Sequence, residues 1–252
     1  MSEEEAKKIR VIIAATSGFR GMAIFNPNQW RGNSKQIAVS CANQLDLLHF
    51  FANQLTRQFS GPDKFVEHAI KELQNQWQKS PGKWLQGCRY FVEVPEVHIS
   101  VVAFLATIKT LLDLMSQLLS AEKIINVSVD GFHRKGDIIG GVVLNALDRN
   151  SVAGNKDRAK RIAKLIEDNK KVWIDGTVTA RHLLAHPIKG SSQIYFEIEI
   201  TQSGDGTPGL ANVVLPNYED KTFAEYANGL VPVIEKFCTD FLSLIKAKNA
   251  DN

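Results

Sequence analysis

Seven consecutive residues, Arg181-His182-Leu183-Leu184-Ala185-His186-Pro187, hold the densest set of side chains suited to phosphate chemistry. A guanidinium offers phosphate oxygens a planar, permanently charged fork. A histidine titrates near neutrality, so it can take a proton from a ribose hydroxyl or give one to a leaving oxygen. The two together suit cleavage of RNA through its own 2′-hydroxyl, with no metal ion required. Arg181 and His186 stand five positions apart. On an ideal helix that is about 140° of rotation, so the two would face different ways. Pro187 changes the expectation, because a proline pushes the residue before it out of the α region. His186 is therefore expected at a helix end, free to swing back towards Arg181.

Two other readings of these residues stay open. Cations are favoured near a helix C-terminus, so an arginine and a histidine there need no further role. His182 and His186 are four apart and could share one helix face, as zinc-binding pairs do. But no glutamate follows His182 in the H-E-x-x-H manner, and His133 is the only third ligand in view. We expect no metal and no cofactor. The segment 156–189 leading through the motif carries nine basic and four acidic residues, a net of +5 in a chain of +3. Lys160, Lys164, Lys170, Lys171 and Lys189 are its candidates for contacting a phosphate backbone. A solvated mixed-charge face is the competing explanation.

The elements that must position this chemistry can be read from periodicity. Residues 10–16 and 22–25 resemble short strands, and the run from Phe25 to Ser34 is loop. Residues 35–59 keep apolar spacings of three and four, and Ser60-Gly61-Pro62 stops that helix. A second helix starts near Asp63 and ends at Ser80-Pro81-Gly82. Residues 84–94 read as a third, ended by Pro95. Residues 97–119 are apolar over most of the circumference, which places that helix at the centre of a bundle. It still carries Lys109 and Asp113, four apart, either a solvated pair or a carboxylate with a partner elsewhere. After a loop over 127–137, helix resumes at 138–147 despite two glycines, which implies close packing there. Residues 150–155 break the chain. Helix then runs from Lys156 to about Ala185, with a bend expected at Asp168-Asn169.

Past Pro187 the period drops to two. Ile194, Phe196, Ile198 and Ile200 alternate with Tyr195, Glu197, Glu199 and Thr201, and turn residues at 203–209 precede Val213-Val214-Leu215. This is a β-hairpin. A last helix covers about 222–246, with Pro232 inside it as an expected kink. The fold class is therefore mainly α: five to six helices around an apolar one, a β-hairpin inserted before the last helix, and short strands at the N-terminus. No linker stands out, so residues 1–252 read as one domain: an extension (1–34), the bundle (35–186), the hairpin (187–216) and the final helix (217–252).

Composition limits the alternatives. With 252 residues, 44% apolar and 23% charged, the chain can bury a sizeable core. Cys41, Cys88 and Cys238 are odd in number and widely spaced, which argues against a disulfide framework or a zinc ribbon. The acidic N-terminus does not read as a signal or transit peptide. The uncharged apolar runs fall short of the ~18 residues that suggest a membrane span. The expected setting is cytoplasmic and reducing, with no membrane partner.

Arg181-His182-x-x-x-His186 resembles the Arg-polar-x-x-x-His motif of HEPN domains, in which the second position is commonly Asn, Asp or His. A tryptophan-bearing helix leads into it, and a strand pair and a final helix with Tyr226 follow, as in that family. Residues 111–117, 129–145 and 173–242 look similar to HEPN-like bundles of uncharacterised bacterial proteins. Many HEPN proteins are ribonucleases of toxin, phage-defence or RNA-processing systems, while others keep the fold as a non-catalytic scaffold. The resemblance implies that Arg181 binds the phosphate, His186 is the acid–base residue and His182 orients the substrate. It also implies that Asp113, supported by Lys109, braces Arg181 from a neighbouring helix. A homodimer with two motifs facing one cleft, RNA as substrate, and an antitoxin or operon partner complete what it implies.

Overall fold

The computed structural model describes residues 19–61, 63–79, 89–185, 194–202, 204–205, 207–218 and 220–247. The architecture is mainly α, with a small antiparallel β region before the last helix. Its elements, in chain order, are α1 (Arg20–Phe25), α2 (Gly32–Phe59), α3 (Asp63–Lys79), β1 (Arg89–Glu93), α4 (Pro95–Ala121), α5 (Gly141–Arg149) and α6 (Lys156–Asn169). A π-turn (Lys170–Ile174) leads to α7 (Asp175–Ala185). Then come β2 (Tyr195–Gln202), β3 (Pro208–Val214), the two-residue strands β4 (Asn217–Tyr218) and β5 (Lys221–Thr222), and α8 (Phe223–Lys246).

Contacts divide the chain into two compact units. One comprises Met1–Phe51, Ala103–His182 and Gly229–Asn252, the other Ala52–Val102 and Leu183–Asn228. The first unit buries Leu45 and Leu48 of α2, Phe104, Ile108, Leu111 and Met115 of α4, Ile162 and Ile166 of α6, and Phe237 and Phe241 of α8. These recur at helical spacing, so each helix turns an apolar stripe to a common core. Trp173 of the π-turn meets Phe237 edge to face, with ring centroids 5.5 Å apart, and its Nε1 donates to Asn169 Oδ1 at 2.8 Å.

The N-terminal strand expected at residues 22–25 is instead helix α1; residues 10–16 lie outside the described residues. Close approach to α2 explains the difference. The Gly21 amide donates to the buried Asp46 carboxylate at 2.9 Å, and a Cβ at Gly21 would lie 2.0 Å from the Ala42 carbonyl oxygen. Phe25 is fully buried, and its carbonyl receives the Trp30 indole N–H at 2.7 Å. These are tertiary contacts, and they outweigh the strand preference of a short apolar run.

The expected close packing near residue 140 is present, though α5 starts later than expected, at Gly141. Gly140 has φ 69°, and a Cβ there would lie 2.2 Å from the Phe132 ring. Both the conformation and the space demand glycine.

The second unit is built on a three-stranded antiparallel sheet of order β1-β2-β3. The hairpin β2–β3 matches the alternation in the sequence: Phe196, Ile198 and Ile200 are buried, and Phe59 lies 5.9 Å from Phe196. The third strand corrects the sequence reading. Residues 89–93 were expected within a helix ended by Pro95, but they pair with β2, Arg89 opposite Glu199 through Glu93 opposite Tyr195. Pro95 starts the next helix, at the first-turn position where its missing N–H costs nothing. α8 opens with a reciprocal cap: Glu225 Oε2 accepts the Thr222 N–H at 2.9 Å, and Thr222 Oγ1 accepts the Glu225 N–H at 3.2 Å. Those hydrogen bonds hold the Glu225 carboxyl below its usual range. Tyr226 packs edge to face on Tyr218 at 4.9 Å, and Pro232 lies inside α8 as expected.

α4 is long and apolar enough, by length and composition alone, to cross a membrane, with a mean hydropathy of 1.7. Lys109 and Asp113 interrupt its uncharged runs, which hid this from run lengths. The structure buries 56% of that stretch, as it buries a core helix.

Candidate functional site

Arg181 and His182 lie towards the C-terminal end of α7, His182 in its last turn, while His186, Pro187 and Lys189 lie outside the described residues. The π-turn decides how Arg181 is presented. It accommodates one extra residue, so everything after it is set back by about one position, roughly 100° around the helix. The turn buries Trp173 and Ile174 and leaves Val172 73% exposed. From Ile174 the inward stripe continues through Thr177 and Val178, at 0% and 8% exposure. Arg181, three and four positions beyond them, falls on the same stripe. Its stem is half-buried, and its Nε is buried with no hydrogen-bond partner. His182 and Leu183 face solvent. The bend expected at Asp168-Asn169 is therefore this π-turn, which begins one residue later.

Among the described residues, no hydrogen bond or ion pair joins Asp113 to Arg181 as the implied brace would. Asp113 Oδ1 accepts Lys109 Nζ one turn away and the backbone N–H of Phe132. Gly131 fits against this carboxylate, since a Cβ there would stand 2.7 Å from Oδ1. Asp113 thus fixes the loop after α4, and the i,i+4 pair with Lys109 is part-buried rather than solvated.

The five lysines assigned to a phosphate backbone separate into three groups. Lys160, Lys164 and Lys171 are exposed, Lys164 within 3.3 Å of Asp168. Lys170 is engaged elsewhere: it meets Asp175 at 2.8 Å and donates to the Ile139 carbonyl, with its side chain 13% exposed. Its role is to tie the π-turn down, which corrects its assignment to an RNA-binding face. Lys189 is outside the described residues. Arg158 donates to the carbonyls of Ile245 and Ala247 and so closes the C-terminal end of α8.

A groove of about 590 Å³ runs between α5 and α6, lined by Lys135, Asn145, Asp148, Glu167 and Lys170 among others. A neighbouring one of about 340 Å³ adds Lys160 and Lys164. Asp148 and Glu167 line both, so the grooves are of mixed sign. Sequence reading assigned no role to either carboxylate.

It also missed a triad in the first unit. Glu235 of α8 accepts His49 Nε2 at 2.8 Å and lies 3.5 Å from an Arg20 guanidinium nitrogen. His49 and Glu235 are 186 positions apart, a separation no local pattern bridges. One turn along α8, Cys238 donates its thiol to Met115 Sδ at 3.7 Å. Burial pushes the thiols of Cys41 and Cys238 up, and for Cys238 the neighbouring Cys41 and Glu235 add to the shift. Both cysteines are free. His133, the third histidine considered for a metal, sits 3.4 Å from Asp130 in an exposed loop. Among the described residues no three His, Cys, Asp or Glu side chains are grouped to hold a metal ion.

Comparison with protein-family models, with curated proteins and with solved structures finds no match for this chain.

Proposed function

We propose that the protein is a metal-independent endoribonuclease of the HEPN type, acting in a toxin, defence or RNA-processing system. The observation that carries the reading is Arg181. A permanently charged guanidinium sits on the inward stripe of α7 with a buried, unpartnered Nε. A buried donor left unpaired costs roughly 1–3 kcal/mol, a cost an anion placed there would relieve. In this reading Arg181 holds the scissile phosphate, His186 moves the proton between the 2′-hydroxyl and the leaving oxygen, and exposed His182 orients the strand. Lys160, Lys164 and Lys171 add long-range attraction for the backbone. One His186 per chain supplies an acid or a base at one time, which favours two copies at one cleft. The protein would work in the cytoplasm, alone or under an operon partner such as an antitoxin.

A second reading, a HEPN-like scaffold that binds RNA or dimerises without cleaving, is favoured by one observation. Asp113, the brace implied for the motif arginine, is instead spent on Lys109 and the Phe132 amide. Incubation of the purified protein with mixed RNA in EDTA separates the two. The nuclease reading expects cleavage that is lost in Arg181→Ala and His186→Ala. Cleavage unchanged in both variants refutes it, and binding without cleavage selects the scaffold.

A further inference from the structure

The groove between α5 and α6 is built from one face of each helix. Gly141, Leu144, Asn145 and Asp148 recur at spacings of three and four along α5, and Lys160, Ala163, Lys164 and Glu167 do the same along α6. At the Gly141 end its wall is a tight turn. The Ile138 carbonyl accepts the Lys135 amide at 3.0 Å, and the Lys135 carbonyl accepts the Ile138 amide at 3.3 Å. A Cβ at Gly141 would stand 2.8 Å from Lys135 Cβ, so glycine lets this turn seat on the start of α5.

The charges along the groove have an order. Lys135 lines only the larger part and Lys160 only the smaller, while Asp148 and Glu167 line both. The sequence of charges is therefore a cation, two carboxylates and a cation. The other two lysines are engaged, Lys164 with Asp168 and Lys170 with Asp175. Among the described residues no ion pair or side-chain hydrogen bond engages Lys135, Asn145, Asp148, Lys160 or Glu167. Half-buried Leu144 and the 55% exposed Ile138 give the groove an apolar surface.

Simple ions do not match this order. An anion is opposed at the centre by two carboxylates, and an amine is opposed at both ends by lysines. The matching ligand has neutral hydrogen-bond donors in the middle, an anion on either side and a flat apolar face. One nucleotide within an RNA strand has that form, a base between two phosphates. Guanine fits the centre best. Its pairing edge sets N1–H beside N2–H, a fork that a carboxylate accepts, next to an O6 to which an amide can donate. Single-stranded RNA is commonly read on such edges of unstacked bases. At about 590 Å³ the larger part lies within the ~300–1,000 Å³ of small-ligand sites.

We propose that the α5–α6 groove reads a guanosine of single-stranded RNA. Asp148 and Glu167 accept from its N1–H and N2–H, Asn145 donates to O6, and Lys135 and Lys160 meet the flanking phosphates. The proposal rests on the reading of the protein as RNA-binding, with or without cleavage, and gives that RNA a base preference. Lys170, which also lines the groove, holds the π-turn that orients Arg181, so the base site and the motif share one support.

Guanosine 3′,5′-bisphosphate is the probe, because it carries one phosphate on each side of the nucleoside. In calorimetric titration it should bind the unaltered protein more tightly than adenosine 3′,5′-bisphosphate by about tenfold or more. Asp148→Asn with Glu167→Gln should remove that preference. Both positions are exposed and both replacements keep the side-chain shape, so the helices retain their fold. Lys135→Gln and Lys160→Gln should weaken both nucleotides alike and lower the salt dependence. Equal affinity for the two nucleotides overturns the proposal. So does a preference that survives in the double variant, or binding of spermidine in place of the guanosine compound. RNA cleavage by the unaltered protein, assayed alongside, separates this proposal from the nuclease reading. Cleavage without the guanosine preference sinks the groove alone, and the guanosine preference without cleavage sinks the nuclease alone.

Discussion

Replacing Arg181 with methionine should make the protein more stable and less able to bind a phosphate backbone. Methionine keeps an unbranched stem and nearly the same helix propensity, so α7 itself loses little. What it removes is a buried Nε with no partner, on a stripe continuous with Ile174, Thr177 and Val178. Leaving such a donor unpaired costs roughly 1–3 kcal/mol. Arg181→Met is therefore expected to raise the unfolding free energy by about that amount. In a chain of this length the melting temperature should rise by roughly 2–12 °C. Urea titration is the assay, with the midpoint moving at constant slope. Adding RNA should reverse the order. A ligand at 100 times its Kd stabilises the native state by about 2.7 kcal/mol, and that gain should appear in the unaltered protein and shrink in the variant. A variant destabilised by more than about 1 kcal/mol would refute the reasoning, since Arg181 would then have a native partner. Equal stabilisation of both proteins by RNA would refute the phosphate role alone.

Two further outcomes follow from the same geometry. Asp113→Ala strands Lys109 and the Phe132 amide, both part-buried, and should cost about 1–3 kcal/mol in urea unfolding; RNA cleavage per folded molecule should stay unchanged, and its loss would show that Asp113 serves Arg181 after all. The raised thiols of Cys41 and Cys238 stabilise the fold below the ordinary thiol value of 9.0, and the contribution is lost as pH rises from there towards their folded values. Above pH 9.0 each cysteine should therefore remove about 1.4 kcal/mol per pH unit, and Cys41→Ala with Cys238→Ala should flatten the alkaline slope relative to the unaltered protein; identical slopes would show that the thiols ionise freely in the native state.

The helices of this fold were legible because their signal is local and repeated. The residue-35 helix and the α4 stripe each declare a period over ten or more residues, and β2 alternates along all 8 of its residues. Residues 89–93 were misread for the opposite reason. A five-residue strand carries too few positions to show a period, and it exists because β2 supplies its hydrogen bonds from a hundred residues away. The Met22–Phe25 segment fails likewise, since its helix depends on Asp46 and Ala42 across a close approach that only Gly21 allows. The cluster of Arg20, His49 and Glu235 and the diversion of Lys170 to Ile139 are tertiary facts with no local signature.

The candidate site is legible in a different sense. Residue types named it, but what makes Arg181 notable is its orientation, and that comes from the π-turn. In an unbroken α-helix continuing the Ile162 and Ile166 stripe, Arg181 would sit roughly 80° off the centre of the inward face and Val178 about 140° off it. One extra residue in the Lys170–Ile174 turn brings both in line with Ile174 and Thr177. That turn is held by Lys170 on Asp175 and the Ile139 carbonyl, and by Trp173 on Asn169 and Phe237. Such insertions interrupt the regular hydrogen-bond ladder and occur often at functional sites. Here the interruption turns inward an arginine whose Nε is buried without a hydrogen-bond partner among the described residues. Deleting the extra residue would turn Arg181 outward and would also carry buried Val178 off the inward face, so the turn sets the positions of both together.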